Sequence, residues 1–161
     1  MTRVYLSLGS NIGDRAGNIA RAVAALASHG VRVTRASSLY ETEPVDFREQ
    51  DWFLNSVVEA ETDLTPGQVM DALLKIERAL GRQRLVPKGP RLIDMDILLF
   101  GSSIVRTPEL EVPHPRMAQR RFVLVPFNEI APGARHPVLK KTVAELLAEV
   151  PDPSEVRPFI A

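Results

Sequence analysis

The alternation of hydrophobic and polar residues divides the first hundred residues of the chain into strands and helices. Hydrophobic runs at 4–8, 31–40 and 53–62 are bounded by turn-forming residues and predict three strands. A more continuous apolar run predicts a fourth strand at about 92–100. The Gly-Ser-Ser that follows can turn the chain into a short return strand at Ile104–Val105.

Two helices are predicted between these strands from apolar residues at helical spacing. The first begins after Asp14, which can act as its N-cap, and ends near Gly30. The second has the clearer signals: Thr65 and Gln68 have the spacing of a capping box, and Gly81 marks its end.

The resulting order is strand–helix–strand–strand–helix–strand, which is typical of the α+β class. It predicts a ferredoxin-like βαββαβ sandwich with C-terminal additions, in which one sheet carries both helices on one face. In the additions, the segment 112–132 mixes short helical pieces with proline breaks, and a last helix starts at Thr142 with a capping box completed by Glu145. The polar segments 41–52 and 82–90 are predicted to be loops.

Composition limits the class of protein. The chain has 161 residues, of which 45% are hydrophobic and 25% charged, so a single domain over 1–161 with a sizeable core is expected. The net charge of zero argues against a wholly basic nucleic-acid binder. The lack of cysteine excludes disulfides and favours a cytoplasmic protein, and no run approaches the roughly 20 apolar residues of a membrane span.

Two carboxylates interrupt the predicted fourth strand. Asp94 and Asp96 are two residues apart, so on a strand they point to the same face. Paired carboxylates repel each other and are costly to bury alone. Mg²⁺ resolves that conflict, because it takes oxygen ligands and commonly uses one or two carboxylates together with substrate phosphates. Pairing of the aspartates with Arg91 and another cation at a strand end remains an open alternative.

Basic side chains surround the acidic pair in sequence. Four of them lie within one ten-residue span, 82–91, just before the pair: Arg82, Arg84, Lys88 and Arg91. A metal flanked by arginines suits a polyphosphate, since guanidinium groups bind phosphate oxygens in a bidentate manner. The alternative is a solvated basic loop, which is the usual position of such charge runs.

A second basic group follows His114 and consists of Arg116, Arg120 and Arg121. His114 itself can contact a phosphate or ribose, or cap a helix. Neither the P-loop motif nor the dinucleotide-binding motif occurs in the sequence, so a phosphate site here needs another arrangement.

Phe53 and Asn55 share a face of the predicted third strand. Asn55 offers both a donor and an acceptor to the edge of a heterocycle, and Phe53 can stack on a flat ring. A core phenylalanine beside a strand-end asparagine is the alternative interpretation.

The segment GPRLIDMDILLFG at 89–101 resembles the signature of the 6-hydroxymethyl-7,8-dihydropterin pyrophosphokinases, a family of folate-pathway enzymes. Further segments agree with the family in the same order: LSLGSNIGD, SSLYETEPV, FLNSVV, IERALGRQR, VPHPRM and RRFVLVP. The resemblance covers about residues 4–132 and implies the same ferredoxin-like fold.

The resemblance also implies a reaction. ATP, the co-substrate, transfers its β,γ-diphosphoryl group to the hydroxymethyl oxygen of the dihydropterin and leaves as AMP. Asp94 and Asp96 match the ligands of two Mg²⁺ ions, and Arg82 and Arg91 match the catalytic, phosphate-binding arginines.

The family resemblance further assigns the substrate sites. The positions that match ATP contacts are Arg84, Ile97, His114 and Arg120, and Lys88 is expected to replace a further basic ATP contact of the family. Those that match the pterin pocket, where two aromatic rings enclose the pterin, are Thr42, Val45, Phe53, Asn55 and Phe122. The loops 43–52 and 82–91 are expected to close over the substrates, and Glu77 matches a family glutamate to which no role is assigned.

The chain departs from the family pattern before Gly89, where many relatives carry an aromatic residue; here Lys88 offers the basic contact alone, after Pro87. Asp46 similarly stands where a glycine is common. The expected partners are therefore ATP and a dihydropterin, with no nucleic acid and no membrane, for a chain expected to be a monomer.

Two other functions stay open on the sequence. Polymerase-palm and cyclase domains also place paired aspartates on a ferredoxin-like sheet and attack the α-phosphorus of a nucleoside triphosphate. An RNA-binding module of the same fold would need exposed aromatic residues on its central strands, where the paired acids would repel phosphate.

Overall fold

A computed structural model describes residues 1–44, 51–81 and 92–160 of the chain. Within these ranges the strands are β1 Thr2–Ser10, β2 Val31–Ala36, β3 Tyr40–Thr42, β4 Phe53–Thr62, β5 Asp94–Phe100, β6 Val105–Arg106, β7 Glu111–Val112 and β8 Val156–Pro158. The helices are α1 Arg15–Ala27, α2 Pro66–Ala79, α3 Arg121–Ile130 and α4 Val143–Glu149, and a 3₁₀ turn covers Met117–Gln119. In this described part, no helix is long and apolar enough to cross a bilayer.

Six of the strands form one antiparallel sheet in the order β5-β1-β4-β3-β8. β2 pairs with the C-terminal half of β4, so β2 and β3 follow one another along the same edge of that long strand. β6 and β7 form a separate hairpin. The fold is therefore a mixed α and β structure built on an antiparallel sheet.

Helices cover both faces of the sheet. Alternate residues of β1 face opposite sides: Leu6 packs with α1 and α2, whereas Tyr5 packs with α3 and α4. The rings of Tyr5 and Phe127 of α3 have their centroids 4.8 Å apart. The expectation that the first two helices share a face is confirmed, and the C-terminal additions supply the layer on the other face.

Local capping signals in the sequence are confirmed at three helices. Asp14 accepts a hydrogen bond from the Gly17 backbone at the start of α1. Thr65 and Thr142 each form the predicted capping box, at the starts of α2 and α4. These bonds satisfy backbone donors that a helix start leaves without intrahelical partners.

The strand predicted over 31–40 is confirmed as β2 over Val31–Ala36, but its predicted end is wrong, because the ladder with β4 stops after Ala36. The Ser37 hydroxyl accepts a hydrogen bond from the Val57 backbone at 3.0 Å and lies 3.0 Å from the hydroxyl of Ser56. The hydroxyl of Ser37 thus takes the place of a backbone carbonyl as the acceptor for Val57, whereas the Ser37 backbone still donates to the Val57 oxygen at 2.9 Å. The chain re-enters the sheet as β3, so the predicted loop 41–52 is wrong at Glu41 and Thr42.

The C-terminal additions also differ from prediction. The return strand predicted at Ile104–Val105 is instead β6, and it pairs with β7. The proline-broken pieces predicted in 112–132 include one continuous helix, α3, which contains Pro126. Its buried apolar face outweighs the one backbone hydrogen bond that a proline omits. β8 has no counterpart in the sequence prediction.

Candidate active site

Three neighbouring strands place an acidic residue, a glycine and an asparagine side by side. Asp94 of β5 lies opposite Gly9 of β1, and Gly9 lies opposite Asn55 of β4. Residues paired in an antiparallel ladder face the same side of the sheet. Asp96 lies opposite Ser7 and shares this face, so the expectation that the two carboxylates point the same way is confirmed.

Asp94, Gly9 and Asn55 form a row across the three strands, and Gly9 leaves the space that the Asn55 side chain needs. A Cβ atom at this position would lie 2.6 Å from Oδ1 of Asn55, well inside contact distance. The Asn55 side chain is 4% exposed and donates from Nδ2 to the Thr42 hydroxyl at 2.5 Å. The amide is therefore held in one orientation, with its oxygen directed over β1.

The predicted pterin contacts occupy the same region as Asn55. Thr42 pairs with Phe53 across β3 and β4, and the alternation of β4 puts Phe53 on the face of Asn55. Phe122 lies in the first turn of α3, the helix that covers this face, and the Arg120 guanidinium lies 5.4 Å from the centre of its ring. The structure thus brings Thr42, Phe53 and Asn55 together.

A buried glutamate anchors the strand that carries the two aspartates. Glu77 of α2 is 4% exposed, and its Oε2 accepts a hydrogen bond from the Met95 backbone at 2.8 Å. Met95 lies between Asp94 and Asp96, so α2 fixes the backbone at the carboxylates. The sequence signal for Glu77 is an acidic residue on the apolar stripe of a helix, a signal to which no role was assigned.

Replacing Glu77 by alanine is expected to lower the free energy of unfolding by about 2–3 kcal/mol, because it leaves a buried backbone donor without this acceptor. Glu77→Gln retains an acceptor oxygen and is expected to cost less than half as much. Urea denaturation measures both, with Lys75→Ala on the exposed side of α2 as the control. Equal losses for the two Glu77 variants would contradict this role.

A cavity of about 210 Å³ adjoins Asp96 on the side away from Asn55. It brings one of the carboxylates together with two predicted ATP contacts; its lining includes Met70, Asp96, Ile97, Thr107, Glu111 and His114. The cavity is large enough to accept part of a nucleotide.

His114 is a neutral hydrogen-bond donor at this cavity. Burial, together with Arg120 and Arg116, lowers the pKa of His114 to about 4, against the opposing effect of Asp94. Its Nδ1 accepts a hydrogen bond from the Arg116 backbone at 3.1 Å. The ring proton is therefore on Nε2, where it can be donated to a ligand oxygen or nitrogen.

The donor set fits a magnesium site. Asp94 and Asp96 are both half-buried and offer oxygen ligands on one face. No group of three or more acidic or histidine side chains within the described ranges could hold a metal by itself. Two carboxylates with the remaining positions filled by phosphate oxygens and water are the usual arrangement for Mg²⁺ with a nucleotide.

Five predicted site residues lie outside the described residues: Val45, Arg82, Arg84, Lys88 and Arg91. The same holds for Asp46, Pro87 and most of the two loops expected to close over the substrates. Their assignments stay predictions from the sequence.

Comparisons with known proteins match most of the chain to the members of one family. The family model of 7,8-dihydro-6-hydroxymethylpterin-pyrophosphokinase (HPPK) matches residues 5–132. A 2-amino-4-hydroxy-6-hydroxymethyldihydropteridine pyrophosphokinase of Bacillus subtilis is 50% identical over 127 residues, which are 78% of this chain and 76% of that protein. The protein of the same name from Methylorubrum extorquens is 46% identical over 157 residues and is covered to 98%.

Longer proteins contain the same unit. Folic acid synthesis protein fol1 of Pneumocystis carinii is 38% identical over 98% of this chain, which spans only 21% of that protein. A crystal structure of Plasmodium falciparum HPPK-DHPS superimposes with a TM-score of 0.73 at 16% identity, over 92% of this chain and 45% of the other. At that identity the likeness concerns the fold. With the family model matched over residues 5–132 and the bacterial relatives matched over most of their length, the chain belongs to the 7,8-dihydro-6-hydroxymethylpterin-pyrophosphokinase family.

Proposed function

We propose that this chain transfers the diphosphoryl group of ATP to the hydroxymethyl oxygen of 6-hydroxymethyl-7,8-dihydropterin, giving AMP and the pterin diphosphate in folate synthesis. Membership of the pyrophosphokinase family supports the reaction class. The observation that carries the proposal in the structure is the row Asp94–Gly9–Asn55, in which Gly9 of β1 lies between the carboxylate that would bind magnesium and the amide that would bind the heterocycle.

The two substrates would lie on either side of the carboxylates. The pterin edge would bind Asn55, with its ring against Phe53 and Phe122. The nucleotide would occupy the cavity at Ile97 and His114, where the neutral imidazole donates from Nε2 and Arg120 adds positive charge. This arrangement brings the hydroxymethyl group and the β-phosphorus together at Asp94 and Asp96, so positioning supplies a large part of the rate.

The carboxylates of Asp94 and Asp96 would hold two Mg²⁺ ions, which when bound neutralise phosphate charge. Arg82 and Arg91 would stabilise charge on the transferred group, and Arg84 and Lys88 would bind ATP; support for these four comes from the family resemblance alone. A pKa of about 4 would make His114 a weak base, and its Nδ1 already accepts a backbone hydrogen bond, so its role would be that of a donor from Nε2 rather than that of a general base.

We further propose that residues 1–161 form a single, ferredoxin-like domain that acts as a cytoplasmic monomer without a nucleic-acid partner. The order β5-β1-β4 with β2 on the outer edge of β4 supports the ferredoxin-like arrangement. Coverage of 98% of the Methylorubrum relative supports the single domain. Helices on both faces of the sheet argue against RNA binding on an open sheet.

Nucleotide products test the reaction directly. The chain is incubated with ATP, Mg²⁺ and the hydroxymethyl dihydropterin, and the nucleotides are separated. AMP equal in amount to the pterin diphosphate is expected, with none formed when the pterin is omitted. ADP would indicate transfer of one phosphoryl group, and pyrophosphate would indicate attack at the α-phosphorus; either would contradict the proposal.

Asn55→Ala is expected to weaken dihydropterin binding by about 10–100-fold, the loss of one or two hydrogen bonds to a buried ring edge. ATP lies on the other side of the carboxylates, so its affinity should change less than about twofold. Isothermal titration calorimetry with each substrate measures both affinities, with Asn128→Ala on α3 as the control. Equal losses for pterin and ATP would contradict the assignment of Asn55.

A further inference from the structure

The C-terminal strand brings an arginine to the edge of the sheet that carries the pterin contacts. β8 pairs with β3 so that Arg157 lies opposite Glu41. The guanidinium donates from Nε and Nη2 to Oε1 of Glu41, at 3.1 and 2.8 Å. It also lies over the ring of Trp52, 4.4 Å from its centre.

A second arginine reaches the same two residues from the start of α1. Nη1 of Arg15 donates to Oε2 of Glu41 at 3.0 Å and to the backbone oxygen of Trp52 at 2.8 Å. Arg15, Glu41, Trp52 and Arg157 thus form one connected group, here named the Glu41 cluster. The hydrogen bond from Arg157 leads the effects that lower the pKa of Glu41, so the carboxylate is ionised at neutral pH.

Two residues of the Glu41 cluster are adjacent in the chain to predicted pterin contacts. Glu41 directly precedes Thr42, and Trp52 directly precedes Phe53. Since successive residues of a strand face opposite sides, the cluster lies on the face away from Thr42 and Phe53. The Glu43 backbone donates to the backbone oxygen of Glu155 at 3.1 Å, which extends the pairing of β3 and β8 by one residue beyond both strands.

We propose that Arg157 is a positioning residue of the dihydropterin site, which holds Thr42, Phe53 and Asn55 in place by fixing Glu41 and Trp52 from the opposite face. The inference rests on the proposed function, in which these three residues contact the pterin. It extends the site to the C-terminal strand, beyond the residues 5–132 that the family model matches.

The exposure of Arg157 favours a role in positioning the pterin contacts over a role in stabilising the fold. The Arg157 side chain is 53% exposed, and ion pairs at such exposure contribute little to the free energy of unfolding. The contacts of Arg157 join β8, β3 and the residue that leads into β4. Without them, the ends of β3 and β4 can move relative to one another, while the core remains packed.

Steady-state kinetics of Arg157→Met test this inference, because methionine keeps much of the aliphatic stem without the charge. We expect the KM for dihydropterin to rise about 5–10-fold, with the KM for ATP, kcat and the Tm nearly unchanged. Arg157→Lys should recover part of the pterin KM, since it restores the charge without the two-point contact. The chain has one tryptophan, so the fluorescence of Trp52 reports directly on the cluster and should change in Arg157→Met.

The control is Arg32→Ala, which removes another exposed ion pair of the same sheet, to Glu61 at 2.5 Å. It should leave both KM values unchanged. A pterin KM within twofold of the wild type for Arg157→Met, or an equal rise of both KM values, would overturn the inference. So would a large fall in Tm, which would show that Arg157 acts on the fold. The wild-type chain, assayed alongside, decides the proposed function separately through AMP formation.

Discussion

Asp96→Asn is expected to lower kcat for AMP formation by about 10³-fold while the fold is retained. Asparagine keeps the size of the side chain but removes the negative charge that, in the proposed function, would bind magnesium. The effect should approach the upper range seen when one electrostatic contact to a reacting group is lost, about 10²–10³-fold, because a metal that neutralises phosphate charge is weakened along with it. Asp94→Asn should act similarly.

A coupled assay of AMP release at increasing Mg²⁺ concentration measures this loss, and the Tm in the absence of Mg²⁺ reports on the fold. Asp71→Asn, an exposed aspartate on α2, is the matched control and should be fully active. Wild-type kcat in Asp96→Asn at ordinary magnesium concentrations would remove the basis of the metal assignment. Restoration of part of the activity at high Mg²⁺ would support weakened metal binding.

Features set by neighbouring residues were predictable from the sequence. The capping boxes at Thr65 and Thr142 use side chains three residues apart, and β4 was predicted with its observed bounds, Phe53–Thr62. The paired carboxylates of β5 followed from a strand period of two. In each case the interaction involves residues only a few positions apart, so it can be inferred from the sequence of that segment alone.

Features set by strand register were not predictable in the same way. Nothing within a few residues of Gly9 indicates that Asn55 lies opposite it, or that Arg157 lies opposite Glu41. Ser37 looked like one more strand residue because its competing hydrogen bonds come from β4, about twenty residues away. Glu77 needed the three-dimensional contact with Met95 before its burial could be explained.

Gly9→Ala is expected to lower kcat/KM for dihydropterin by about 10²-fold and the free energy of unfolding by about 1–3 kcal/mol, the usual cost of an overpacked buried site. Gly9 lies in the regular strand β1, where alanine is no worse than glycine for the backbone. The loss therefore arises from the new Cβ atom, which would lie 2.6 Å from Oδ1 of Asn55. The asparagine must rotate away from Thr42 and lose its fixed orientation.

A double-mutant cycle with Asn55→Ala isolates this cause. With the amide removed, the added methyl group has space, so Gly9→Ala should cost less than about 0.5 kcal/mol in the Asn55→Ala background. The pterin kcat/KM of the double variant should equal that of Asn55→Ala, because both substitutions disable the same contact. Urea denaturation and kinetics measure the two couplings. Independent, additive losses in stability and in kcat/KM would show that Gly9 acts on something other than Asn55. The alignment of Asp94, Gly9 and Asn55 across the three strands would then have no role in function.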